Sequence, residues 1–338
     1  MTNAMHINEM KKKIFLTIQF VVLLLFVTAQ EKEKYSVYPT DSNIIFDFCF
    51  FGNGEKLAVA DNTSIKIFFT SSQQQLDEIK TDLSDRILAV DVSKDDKIIA
   101  FGGRDGKVII GDLSNKTTLQ SISLTGKVIT ALSISPDGKL LAIGSSDGNV
   151  EIYDIKNKNT KFELTGHKKD IASLKFSPDG KMLATAGGDK KINLFLVENG
   201  TLITTLSDHK SWVRSISFIN NEKIVSSGDD SKIIQWDFAD LQNTVIKKTK
   251  LPSFGIITSV DFFHEITSFA ASGINGKILI STQAADYFAN LKMPVTKVLF
   301  IPYEKLYFKL VVASKGAGII QINAEKMKFK NSTRKSKL

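Results

Sequence analysis

The sequence predicts an all-β chain folded as a seven-bladed β-propeller of four-stranded antiparallel blades, and two observations carry that expectation. First, the segments GKVITALSISPDGKLLAIGSSDGNVEIYDI, from Gly126, and GHKKDIASLKFSPDGKMLATAGGDKKINLFLV, from Gly166, repeat one pattern. Second, the pattern recurs along the chain. Aligned on the apolar residue that ends the first strand of each copy, the positions are Phe50, Val92, Ile134, Phe176, Phe218, Phe262 and Phe300, spaced 42, 42, 42, 42, 44 and 38 apart. Periods of this length mark repeat architectures, and the seven copies occupy residues 44–325.

Each copy reads as four strands. In the fourth, Ala172, Leu174 and Phe176 alternate with Ser173 and Lys175, the period of a half-buried antiparallel strand. Ser177-Pro178-Asp179-Gly180 is a turn, Pro fixing φ and Gly adopting what other residues resist. Met182–Ala186 and Ile192–Leu196 follow on either side of a Gly-Asp turn, and Asn199-Gly200 makes the hairpin into Leu202–Leu206. Such a sheet has two faces to cover and cannot cover them alone. Stacking seven twisted copies around an axis covers both faces of each and leaves only short edges. The ring must also be fastened. Tyr35–Tyr38, within residues 30–43, is a strand without a blade of its own and is expected to supply the outer strand of the last blade. Met327–Lys330, which also alternates, competes for that place.

At the N-terminus, Lys11, Lys12 and Lys13 precede the apolar run Ile14–Ala29, and the chain turns polar at Gln30. A charged region, an apolar region and small residues at Val27 and Ala29 read as a secretory signal peptide over residues 1–29. The run has sixteen residues, short of the ~20 that span a bilayer, so cleavage is favoured over a retained anchor and no membrane span is expected in the mature chain. The net charge of +8 lies at the ends. Without residues 1–29 there are 41 basic and 35 acidic side chains; residues 326–338 hold six of the basic ones and no acid, which leaves 35 against 35. A neutral body argues against nucleic acid as a partner, and the basic tail is at most a weak contact for an acidic surface. With one cysteine, Cys49, neither an intrachain disulfide nor a cysteine metal site can form.

The repeats resemble the WD40 family. Gly166-His167 opens the fourth copy, SPDG stands at 135–138 and 177–180, and Trp236-Asp237 closes the third strand of the fifth. The resemblance implies a hydrogen-bonded set pinning each blade. The fifth copy matches it fully with His209, Ser226, Asp230 and Trp236; the fourth keeps His167, Thr185 and Asp189 but has Phe195 for the tryptophan; the third keeps Asp147 with Tyr153. Such a set is physically coherent, because a buried imidazole and a buried indole N–H each need a partner. The resemblance also implies a non-catalytic scaffold that binds proteins or peptides on the top face, where the loops before the first strand and between the second and third gather.

No constellation for catalysis emerges. His264-Glu265 lacks companion ligands, and Asp95-Asp96 and Asp229-Asp230 sit at turns. The Gly pairs recur at one position of the repeat, as hairpins do and phosphate cradles do not. No cofactor or metal is expected. Four Asn-x-Ser/Thr sequons, at Asn62, Asn115, Asn199 and Asn331, are no more than chance supplies. The candidate partner-binding surface is the top edge of the fourth and fifth copies, with Lys168, Lys169, Lys190, Lys210, Trp212 and Arg214, since Trp and Arg dominate binding hot spots and lysines favour an acidic partner. The expected function is a non-catalytic protein-interaction scaffold, exported to the bacterial periplasm or cell envelope or secreted. The alternatives are a propeller that binds a carbohydrate or small molecule in its central channel and, behind it, a propeller hydrolase.

Overall fold

A computed structural model describes residues 35–42, 44–241, 244–263, 268–282, 286–301, 309–314, 316–323 and 330–332. Seven antiparallel sheets form seven blades. Their first strands, Phe48–Phe51, Ile87–Val92, Ile129–Ile134, Ile171–Phe176, Val213–Asn220, Ile257–Phe263 and Val295–Phe300, neighbour one another around the axis. The signal-peptide reading of residues 1–29 and most of the basic tail lie outside the described residues. Among the described residues no helix is long and apolar enough to cross a membrane.

The core is divided. Seven apolar clusters each sit between two neighbouring blades; Leu174 and Phe176 of blade four pack with Val150 and Ile152 of blade three, and Ile216 and Trp236 of blade five with Ala184 and Leu194 of blade four. The strict alternation expected in the first strand is broken. In six blades the pairing with the second strand slips by one residue, between Ile171 and Ser173 in blade four and between Val213 and Ser215 in blade five. A bulge of this kind re-aims a side chain. It turns Ala172 and Arg214 toward the mouth of the axial channel.

Tyr35–Tyr38 closes the ring as the outer strand of blade seven, pairing antiparallel with Ile319–Ile322. The competing C-terminal segment does something else: Lys330–Ser332 adds a fifth strand to blade six against Asp286–Phe288, while residues 327–329 lie outside the described residues. Tyr38 is the joint. Its side chain is buried, its hydroxyl donates to Gln321 Oε1 at 2.7 Å, and its ring meets the edge of Phe68 in blade one at 5.3 Å between centroids. Just beyond, Asp61 of blade one accepts the backbone N–H groups of Asp41 and Ser42 at 2.6 and 2.9 Å, and the buried Lys66 ammonium pairs with Asp41 and Asp61.

Tyr38→Ala, which empties the joint, is therefore expected to lower unfolding free energy by about 3–5 kcal/mol. Tyr38→Phe, which removes only the hydroxyl, should cost about 1 kcal/mol. Denaturant unfolding of both variants against the parent checks the ratio.

Candidate functional site

The hydrogen-bonded set of blade five is complete. His209 Nδ1 lies 3.0 Å from Asp230 Oδ1 and its Nε2 2.8 Å from Ser226 Oγ, to which the Trp236 indole donates at 2.8 Å. Blade four keeps the shorter version, with His167 bonded to Asp189 and Thr185, each at 2.9 Å. Both aspartates also clamp the loop before the first strand: the Lys210 backbone N–H donates to Asp230 Oδ2 at 2.8 Å and that of Lys168 to Asp189 Oδ2 at 3.3 Å. Burial pushes the Asp230 carboxyl up, but the His209 bond, the Lys210 N–H and the nearby positive charge outweigh it and hold its pKa at about 2.

The top rim of blades four and five brings the candidate residues together. Trp212 is half-buried and lies over Gly188 of blade four, where an added Cβ would stand 3.2 Å from the indole. The Arg214 guanidinium stacks on the same indole, 3.9 Å from the ring, and is held by a bidentate pair with Asp229 at 2.7 and 2.8 Å. Arg214 is thus already neutralised. Lys168, Lys169, Lys190 and Lys210 are exposed and, among the described residues, make no ion pair. The indole Nε1 of Trp212 is buried without a hydrogen-bond partner, which native structures seldom leave.

Sequence reasoning named the central channel as an alternative site but missed the charges that line it, in a cavity of about 190 Å³. Three residues before each aligned apolar position stand Asp47, Ala89, Ala131, Ser173, Ser215, Ser259 and Lys297. The polar members stitch neighbouring blades together. Asp47 accepts the Val90 N–H at 2.9 Å and Ser173 that of Ile216 at 3.3 Å. Ser215 and Ser259 donate to the carbonyls of Val260 and Val298, and Lys297 donates to that of Phe48 and pairs with Asp47. One residue before the aligned position stand Cys49, Asp91, Ser133, Lys175, Ser217, Asp261 and Leu299. Burial raises the carboxyls of Asp91 and Asp261; burial would lower Lys175, but the charges of Asp91, Asp47 and Asp261 outweigh it and raise it. The repeat alignment carried a signal here: charged residues at positions that other copies fill with Ser, Ala, Cys or Leu.

Among the described residues no group of three or more His, Cys, Asp or Glu side chains could hold a metal ion. His264 and Glu265 lie outside the described residues.

Residues 77–238 match the family model of the Nucleolar protein 10-like N-terminal domain, a β-propeller. No curated protein matches the sequence. Among solved structures the chain is similar to the RRP9 WD40 repeats, at 16% identity and a TM-score of 0.74, covering 86% of this chain and 97% of that one. It is equally similar to U3-55K, at 15% identity and a TM-score of 0.73, covering 86% and 98%. The fold is a WD40-type propeller, and at such identities the likeness speaks to fold alone.

The depressed Asp230 pKa has a stability consequence. A carboxyl at about 2 in the folded chain and near 3.8 unfolded contributes about 2 kcal/mol above pH 4, lost as pH falls through 2. Asp230→Asn should lose this contribution at neutral pH and show a shallower stability decline than the parent between pH 4 and 2, measured by denaturant midpoints across that range.

Proposed function

We propose that this propeller is a non-catalytic scaffold that docks an acidic segment of a partner protein on the top rim of blades four and five. The four unpaired lysines beside the Trp212–Arg214 stack carry this reading. Most acids beside them are already engaged: Asp189 and Asp230 with histidines and backbone N–H groups, Asp229 with Arg214 and Asp208 with Lys248, while Asp170, next to Lys169, makes no side-chain bond among the described residues. Lysines held in no ion pair present positive charge from a rigid frame, and an acidic partner complements it. The half-buried indole with its orphaned N–H adds an apolar anchor beside them. The similar WD40 propellers support a protein-binding platform in general and say nothing of which face is used.

We further propose that the chain acts outside the cytoplasm, in the periplasm or cell envelope, on the strength of the leader-like residues 1–29. N-terminal sequencing of the protein from its native source should then begin at Gln30; an N-terminus at or near Met1 discards export.

For docking, crosslinking capture from native envelope with the parent is compared with a Lys168→Glu, Lys190→Glu, Trp212→Ala variant whose β content is verified by circular dichroism. A captured protein whose affinity falls at least about tenfold in the variant, and weakens with salt in the parent, is the expected outcome. Capture unaffected by the variant moves the interface elsewhere on the ring, and no capture above an unrelated propeller ends the scaffold reading.

A further inference from the structure

The axial channel holds charges that ring closure does not use. At the upper level every polar side chain is consumed between blades; Asp47 alone accepts the Phe48 and Val90 N–H groups and the Lys297 ammonium. One level down, Lys175 of blade four reaches into the lumen, exposed to channel water and ringed by protein, with no hydrogen bond or ion pair among the described residues. Asp261 of blade six, also lining the cavity, accepts the backbone N–H groups of Phe300 and Phe262, and Asp91 of blade two that of Ile134. Neither carboxylate has a cation within ion-pair distance among the described residues. Ser133 and Ser217, in the blades on either side of Lys175, make no side-chain hydrogen bond among the described residues. Enclosed charges left unpaired are costly, and here Lys175 and Asp261 line one cavity with no ion pair between them among the described residues.

We propose that the lumen is a binding site for a small α-amino acid zwitterion, its carboxylate on Lys175 with help from Ser217 and its ammonium on Asp261. Only a ligand carrying both signs neutralises both walls. A neutral sugar leaves the charges uncompensated, an inorganic anion meets Asp261, and a metal cation meets Lys175. The cavity of about 190 Å³, the volume of about six waters, admits an amino acid with a short side chain. Its mouth is ringed by the small Thr130, Ala172, Thr258 and Thr296 and by the larger Phe46, Leu88 and Arg214, the last tied to Asp229. This site is separate from the top-rim docking surface and does not depend on it.

The test is calorimetric titration of the full-length protein with glycine, L-alanine, L-serine and L-aspartate, and with glucose as the neutral control. At least one amino acid should bind with a Kd below about 1 mM, and its two halves, the deaminated acid and the decarboxylated amine, should each bind at least about tenfold more weakly. Lys175→Met should weaken the same ligand at least about tenfold, whereas Lys156→Glu in an outer hairpin of blade three leaves it unchanged. The proposal is overturned if no amino acid binds up to about 10 mM, if either half or glucose binds as well as the amino acid, or if Lys175→Met keeps the parent affinity. Should Lys175→Met fail to fold, the comparison of whole ligand with its halves on the parent still decides. Loss of partner capture at the rim would leave these outcomes untouched, so the two readings fail separately.

Discussion

A four-stranded sheet with apolar residues on both faces must be covered on both, and a row of such sheets always leaves two faces bare unless its ends meet. That constraint accounts for the shape of this protein. Each of the seven apolar clusters belongs to two blades at once, so no blade has a core of its own. The closing wedge contains Tyr38 from the N-terminal strand together with Phe48 and Phe68 of blade one and Val311 and Ile319 of blade seven. Covalent order alone would leave that wedge open, and Tyr38, Asp61 and Lys66 shut it with side-chain contacts.

The closed ring then serves as a frame. Around the axis, serines, aspartates and a lysine from one blade bond the backbone of the next, which ties together first strands whose inner edges have no strand to pair with. At the rim, the histidine–aspartate sets of blades four and five do two jobs. They satisfy buried imidazoles, and through Asp189 and Asp230 they hold the loops that present Lys168 and Lys210. The residues that stabilise the blade are thus the ones that position the candidate docking surface, and the lysines themselves remain uncommitted.

Two charge systems result, one on the rim and one in the lumen, separated by Arg214 and its Asp229 partner at the channel mouth. The rim offers charge to a large partner that need not enter; the lumen holds charges of both signs within reach of a small one. A propeller fold dictates neither, because the fold constrains the wedge faces and leaves the rim and axis free to vary.

Much of this was legible in the residues. The repeat, the SPDG turns and the set of His209, Ser226, Asp230 and Trp236 could be read directly, because each is a local pattern or a group of residue types that need one another at fixed spacing. Tyr35–Tyr38 could be assigned because it was a strand left without a blade. The lumen could not. Lys175 alternates with Leu174 and Phe176, and a period of two says that it leaves the apolar face without saying whether it meets bulk water or six other strands around an axis. Arg214 read as a free hot-spot cation, yet a bulge turns it to the channel mouth and Asp229, in the turn after the next strand, takes its charge. Lys330–Ser332 could have closed the ring by its alternation, and only the position of blade six gave it another edge. The chain by itself determined which residues are strands, turns and pins, since those depend on near neighbours. Which charges face each other, and which remain unpaired, was decided by closure, because only a closed ring brings residues of blades two, four and six to one axis.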